Sequence, residues 1–245
     1  GDDGPRQPAT VAVISSGTVV GTVGELLPDP LVVRVTDNGG SPVGGVVVTF
    51  TVAEGAGTVT PAVDTTDNNG NASTRWRLGS GAGTQRVTAS VPGVSTAATF
   101  TATATAGAPA IVAVNGGDNQ TAAAGATVAT APSVIVRDRF NNPVNGVTVF
   151  FSVVAGGGEV SAAGATTNPQ GIATAGSWRL GPSAGANRLS ALVLASGVTA
   201  NPVTFTATAT AGAAASVVAT GNTSINATVG TLVSPVPSVR VLDAG

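Results

Sequence analysis

Valines stand at alternate positions in three separate stretches of the chain: Val33 and Val35, Val134 and Val136, Val239 and Val241. The residue between each pair changes, from Arg34 to Ile135 to Arg240. Successive side chains of an extended strand point to opposite sides, so period-two alternation marks a strand with one buried face. The constant side is read as core and the varying side as solvent-facing. Downstream, Val46, Val48, Phe50 and Val52 form a second alternating set, matched by Val147, Val149, Phe151 and Val153. The intervening residues change from Val47, Thr49 and Thr51 to Thr148, Phe150 and Ser152. Farther on, Phe100 and the alanines from Ala102 to Ala106 share one side of a long strand, with a ladder of Thr on the other. Gly, Asn and Pro separate these runs, and the count comes to about seven strands per copy.

The copies themselves are an internal repeat, which governs the fold of any chain that carries one. Thr99 to Gly107 recurs residue for residue as Thr204 to Gly212, and Trp76-Arg77-Leu78-Gly79 recurs as Trp178-Arg179-Leu180-Gly181. Matched positions are 101 residues apart at Pro42 and Pro143, 102 at the Trp pair and 105 at Phe100 and Phe205. The growth locates the insertions. One extra residue falls between Ala173 and Trp178, beside Gly176, and predicts a β-bulge; the rest fall around Ser196 to Asn201, in a loop. The organisation expected is a leader or tether over 1–7, a first repeat over 8–107, a second over 108–212, and the first two strands of an incomplete third over 213–245. The fold class expected is all-β, with tandem immunoglobulin-like β-sandwich domains.

Composition narrows the chemistry. Hydrophobic residues make up 42% of the chain, mostly Val and Ala, and only 9% of residues are charged. Ten Arg nearly balance twelve acids, so no field exists to gather nucleic acid, and no apolar run has the length of a membrane span. With no Cys and no His, disulfides, thiolate and imidazole metal sites and the usual nucleophile–base pairs are excluded. No enzyme activity, cofactor or metal is expected. The opening Gly1-Asp2-Asp3-Gly4-Pro5 is similar to the segment that follows the lipidated Cys of bacterial lipoproteins, or is a plain tether.

The pattern Asp37, Pro42, Val43, Gly45, Val46, Val48 and Phe50, then Gly70, Ala72, Gly83, Val87 and Ala89, returns in the second copy. As a set it resembles bacterial immunoglobulin-like domain group 1, the invasin and intimin type, over nearly the whole chain. The resemblance implies tandem sandwiches of the kind that form adhesin stalks. It departs from antibody domains, having no disulfide and a Trp on a late strand.

Candidate residues divide into two groups. Phe50, Trp76, Phe100, Phe151, Trp178 and Phe205 recur at matched positions and are read as core, with sugar stacking by the Trp pair as the rival reading. Phe140 and Phe150 have no counterpart, since Gly39 and Thr49 stand in their places. They are the candidate partner contacts. Asp64 and Asp67 are read as turn residues, because Asp bonds its own backbone.

The function expected is a rod of repeats on the bacterial cell surface, extracellular and lipid-anchored if the leader has that role, serving as stalk or adhesin. Its partners would be neighbouring repeats or identical subunits, and a cell-surface protein or glycan. The alternatives are a subunit of a self-assembling surface filament, with strand exchange at the incomplete repeat, and a secreted or phage carbohydrate-binding module.

Overall fold

The computed structural model describes residues 6–243, and all its regular structure is strand. The leader over 1–7 and the end of the third repeat reach into residues 1–5 and 244–245, which lie outside the described residues. The chain forms two compact units. One takes the described residues up to Ala108 together with the loop Asp138–Asn142; the other takes Pro109–Arg137 and the described residues from Pro143 onward.

The first unit contains β1 (Thr10–Val13), β2 (Thr18–Thr22), β3 (Leu31–Thr36), β4 (Val47–Glu54), β5 (Thr58–Thr60), β6 (Val63–Thr65), β7 (Asn71–Arg77), β8 (Gly83–Ser90) and β9 (Ala98–Thr105). They make two sheets, ordered β1-β3-β7-β5 and β2-β9-β8-β4-β6. The architecture is an immunoglobulin-like sandwich. Nine strands stand where about seven were expected. The N-terminal run is two strands in different sheets: β1 pairs antiparallel with β3, and after residues 14–17 β2 pairs in parallel with β9. The connection between β4 and β7 also adds two three-residue strands, β5 and β6.

The inner faces are the constant faces of the sequence. Val33, Val35, Val48, Phe50, Trp76, Val87, Phe100 and Ala102 are buried, while Thr99, Thr103 and Thr105 face outward. Burying a large apolar side chain stabilises by about 1.5–3 kcal/mol, and these supply the drive that closes one sheet on the other.

The second unit repeats the plan with β10 (Ile111–Gly116), β11 (Gln120–Ala123), β12 (Ser133–Arg137), β13 (Thr148–Ala155), β14 (Gly158–Val160), β15 (Gly164–Thr166), β16 (Ile172–Thr174), β17 (Trp178–Leu180), β18 (Gly185–Val193) and β19 (Val203–Thr210). Its larger sheet, β11-β19-β18-β13-β15, matches the first unit's. The other sheet is divided into β10-β12-β16 and β14-β17. The division falls at 175–177, where a bulge was expected; the extra residue interrupts the strand outright. Each ladder runs on to the break in its own register, the Ala175 amide donating to the Pro132 carbonyl (2.9 Å) and the Ser161 amide to the Ser177 carbonyl (3.0 Å). Gly176 is required there, because a Cβ would collide with the Ser161 hydroxyl.

Two more strands, β20 (Ser216–Ala219) and β21 (Val239–Leu242), pair antiparallel with Val217 opposite Val241, as Val11 stands opposite Val35. Here the constant face is not buried. Val217, Val239 and Val241 are 64%, 64% and 58% exposed, because no other sheet among the described residues covers them.

Polar side chains complete each core. The buried Thr66 hydroxyl donates to the Val43 carbonyl (2.8 Å) and accepts the Val46 amide (2.9 Å); Thr167 does the same for Val144 (2.7 Å) and Val147 (2.8 Å). This one side chain holds the Pro-Val turn against the sheet. At the end of the Trp strand, the buried Gln85 Oε1 accepts the Gly79 amide (2.8 Å), and the buried Asn187 Oδ1 accepts that of Gly181 (3.0 Å). Gly79 and Gly181 lie so close to the carbonyls of Gly55 and Gly156 that no Cβ fits.

Two kinds of core substitution should therefore be separable by chemical denaturation. Phe100→Ala removes a wholly buried ring and should cost about 3–5 kcal/mol. Gln85→Leu preserves bulk but leaves the Gly79 amide without an acceptor, and should cost about 1–3 kcal/mol.

Candidate functional site

The Asp-x-x-x-x-Pro-Val segment folds into a tight loop whose first residue closes it. Asp37 Oδ1 accepts the amides of Gly39 and Ser41, both at 2.9 Å, and the Ser41 carbonyl accepts the Asp37 amide (2.9 Å). Asp138 closes its loop identically, through the amides of Phe140 (2.8 Å) and Asn142 (2.9 Å). Short polar side chains bonding the backbone two residues on are the physical basis of such turns.

The second carboxylate oxygen distinguishes the copies. Asp37 Oδ2 faces the Arg6 guanidinium at 3.9 Å. Asp138 is fully buried, and its Oδ2 accepts the Gly107 amide (2.9 Å) and the Asn142 side-chain N–H (2.9 Å). Asp243 Oδ2 accepts the Gly212 amide (2.7 Å). Burial works against the charged form of Asp138, but hydrogen bonds from the Asn142 side chain and from the Gly107, Asn142 and Phe140 amides outweigh it. The carboxyl is held below its ordinary value of 3.8.

Phe140 sits in this loop and is 38% exposed. Its ring carries the Arg139 guanidinium 4.6 Å from the centroid, and Arg139 Nη2 lies 3.3 Å from Glu25 Oε1. Beneath the ring is Gly24, at φ +72°, where a Cβ would come within 2.8 Å of two ring carbons. Phe140 is thus seated within the first unit.

Phe150 lies apart, on the outward face of β13, and is 43% exposed. Directly across on β18 stands Leu192, 38% exposed; on the other side, β15 presents Gly164. The first unit has Thr49 opposite Ser90 and Val63. A half-buried Thr and an exposed Ser in one copy are an exposed apolar pair in the other.

The six recurrent aromatics, Phe50, Trp76, Phe100, Phe151, Trp178 and Phe205, are all buried. Neither Trp indole N–H has a hydrogen-bond partner, so both side chains are held by packing. No sugar can stack on them without opening the sandwich. The acidic pair Asp64 and Asp67 bonds backbone: Asp64 to Thr65 and Ser73, Asp67 to Asn69 and Asn71. Asn168 does in the second copy what Asp67 does in the first, so the charge is not what the position needs. Among the described residues no three His, Cys, Asp or Glu are grouped to hold a metal, and no helix is long and apolar enough to cross a membrane.

No protein-family model and no curated protein matches the sequence. Solved structures do. The Escherichia coli adhesin FdeC is 21% identical over 83% of this chain and 65% of its own, with a TM-score of 0.48. Yersinia pseudotuberculosis InvD is 19% identical over 88% of this chain and 60% of its own, also at 0.48. Invasin, described as a bacterial integrin-binding protein, is 21% identical over 83% and 39%, at 0.38. The chain thus spans less than two thirds of the length of each.

The two Asp loops should respond differently to neutralisation. Asp37→Asn keeps an oxygen for the two loop amides and should cost less than about 1 kcal/mol. In Asp138→Asn the new NH2 faces N–H donors whichever way the amide turns, and the cost should reach about 1–3 kcal/mol. A depressed carboxyl adds stability that is complete above its unfolded pKa and fades as pH falls toward the folded value. Denaturation of the native chain should accordingly show this contribution intact above pH 3.8 and lost below it, and absent in Asp138→Asn.

Proposed function

We propose that this chain belongs to an extracellular bacterial surface protein in which immunoglobulin-like sandwiches repeat to form a stalk or adhesin. The observation that carries this reading is the division between faces. Inward positions are rebuilt residue by residue in the second copy, from Val48 and Phe50 to Val149 and Phe151, while the outward pair Thr49 and Ser90 becomes Phe150 and Leu192. A spacer needs each copy to fold and leaves its surface free to diverge. The sequence pattern that resembles the invasin and intimin type supports the same reading, as does a core that closes without cysteine. Its partners would be neighbouring repeats, identical subunits, and a cell-surface protein or glycan meeting the varying face.

A second reading is a self-assembling surface filament, supported by the low charge of the chain and the Thr-rich outward faces of β9 and β19.

Immunogold labelling of intact cells should decorate their surface, and confinement to the cytoplasm would overturn both readings. Replacing the exposed pair by its first-copy residues, Phe150→Thr with Leu192→Ser, should reduce cell attachment while shifting stability by no more than about 1 kcal/mol. Unchanged attachment would remove the pair from the adhesive surface. Long uniform fibres from the purified chain in negative stain would favour the filament over the stalk.

A further inference from the structure

The loop Asp138–Asn142 belongs by its contacts to the first unit, although it lies in sequence between strands of the second. Its grip is made by side chains. Asn142 Nδ2 donates to the Ser80 carbonyl (2.7 Å), and its Oδ1 accepts the Ala82 amide (2.9 Å). A single amide group therefore reads both polarities of one stretch of first-unit backbone. Asp138 takes the Gly107 amide, Phe140 covers Gly24, and Arg139 pairs with Glu25.

We infer that the surface formed by Gly24, Glu25, Ser80, Ala82 and Gly107 is a docking site of the first unit for a loop of the form Asp-Arg-Phe-x-Asn, and that it reads the loop's side chains. The loop Asp37–Ser41 supplies the comparison. It has the same closing hydrogen bonds, and Gly40 (φ +80°) matches Asn141 (φ +71°). Yet it carries Asn, Gly, Gly and Ser where the docked loop carries Arg139, Phe140, Asn141 and Asn142. In the docking site it would retain the aspartate bond and lose the amide clasp, the ring over Gly24 and the ion pair. The aspartate bond is the general part of the device, since Asp243 holds Gly212 across the same sequence separation. The residues after it are the specific part. The stability of the first unit thus depends on four side chains supplied from well beyond its own strands.

The test grafts the first-copy sequence into the docked loop of the full chain: Arg139→Asn, Phe140→Gly, Asn141→Gly and Asn142→Ser. The closing bonds are common to both loops, so the graft keeps its backbone. Amide hydrogen exchange of the full chain should show the Ala82 amide exchanging about tenfold faster in the graft, with the β18 and β19 amides unchanged. Each unit also holds a single Trp, which allows a second readout. In a Trp178→Phe background, Trp76 fluorescence should report a lower denaturation midpoint for the graft. In a Trp76→Phe background, Trp178 should report an unchanged one. Neither replacement removes a hydrogen bond. Unchanged exchange at Ala82 would overturn the inference, as would equal losses reported by the two Trp residues.

Discussion

Each sandwich depends on giving an acceptor to every main-chain amide that the sheets bury at their margins. Ladder hydrogen bonds cover the strand interiors, but the turns and strand ends fall outside them. A buried amide left without a partner costs about 1–3 kcal/mol, against a total stability of about 5–15 kcal/mol for a domain. Two or three such failures would remove a large part of the stability of a repeat that has no disulfide to hold it. The chain meets this constraint with a few neutral side chains and one kind of carboxylate: Thr66 and Thr167 at the Pro-Val turn, Gln85 and Asn187 behind the Trp strand, Asp37 and Asp138 at the loop. Apolar burial closes the sandwich, and these groups fix where its strands stop.

The comparison of Gln85 with Asn187 shows how strictly the constraint acts. The second copy has a side chain one methylene shorter, yet its oxygen still reaches the Gly181 amide. The nitrogen does not reach as far. Gln85 Nε2 bonds the Gly81 carbonyl at 2.9 Å, whereas Asn187 Nδ2 turns to Gly185 at 3.3 Å. The bond to the buried amide is retained and the bond nearer the solvent is altered, the order expected when an unsatisfied buried donor is the dominant penalty.

This constraint also explains which features were legible from sequence. Strand faces were, because alternation is a local signal and a second copy tests it; hence the sandwich class follows from Val33, Val35, Val48 and Phe50. The strand count was not. Nothing local tells that β1 and β2 belong to different sheets, a fact set by their partners β3 and β9. Thr66, Gln85 and Asn142 also escaped notice: Thr66 and Asn142 work through partners distant in sequence, Gln85 bonds across a turn to Gly79 and Gly81, and a lone Thr, Gln or Asn carries no pattern. Comparing the copies could have found the threonines, because Thr66 and Thr167 keep their offset. Phe140 and Phe150 stood out only as unmatched aromatics. Sequence could not tell that one is seated over Gly24 and the other paired with Leu192.

Repeats that share a whole strand sequence carry a hazard that the same comparison shows being met. Thr99 to Gly107 and Thr204 to Gly212 are the same sequence, so β9 and β19 could in principle exchange places, and misassembly between copies is a characteristic failure of repeat proteins. The strands around them are not interchangeable. Register does not tell them apart, since Val87 stands opposite Phe100 as Leu189 stands opposite Phe205. Bulk does: Leu189 replaces Val87 beside the same Phe, and Ala122 stands where Gly21 leaves no room for a Cβ against Leu27 and Leu78. Identical strands are tolerable because the side chains packed on them differ, so that an exchanged strand would meet a core of the wrong volume.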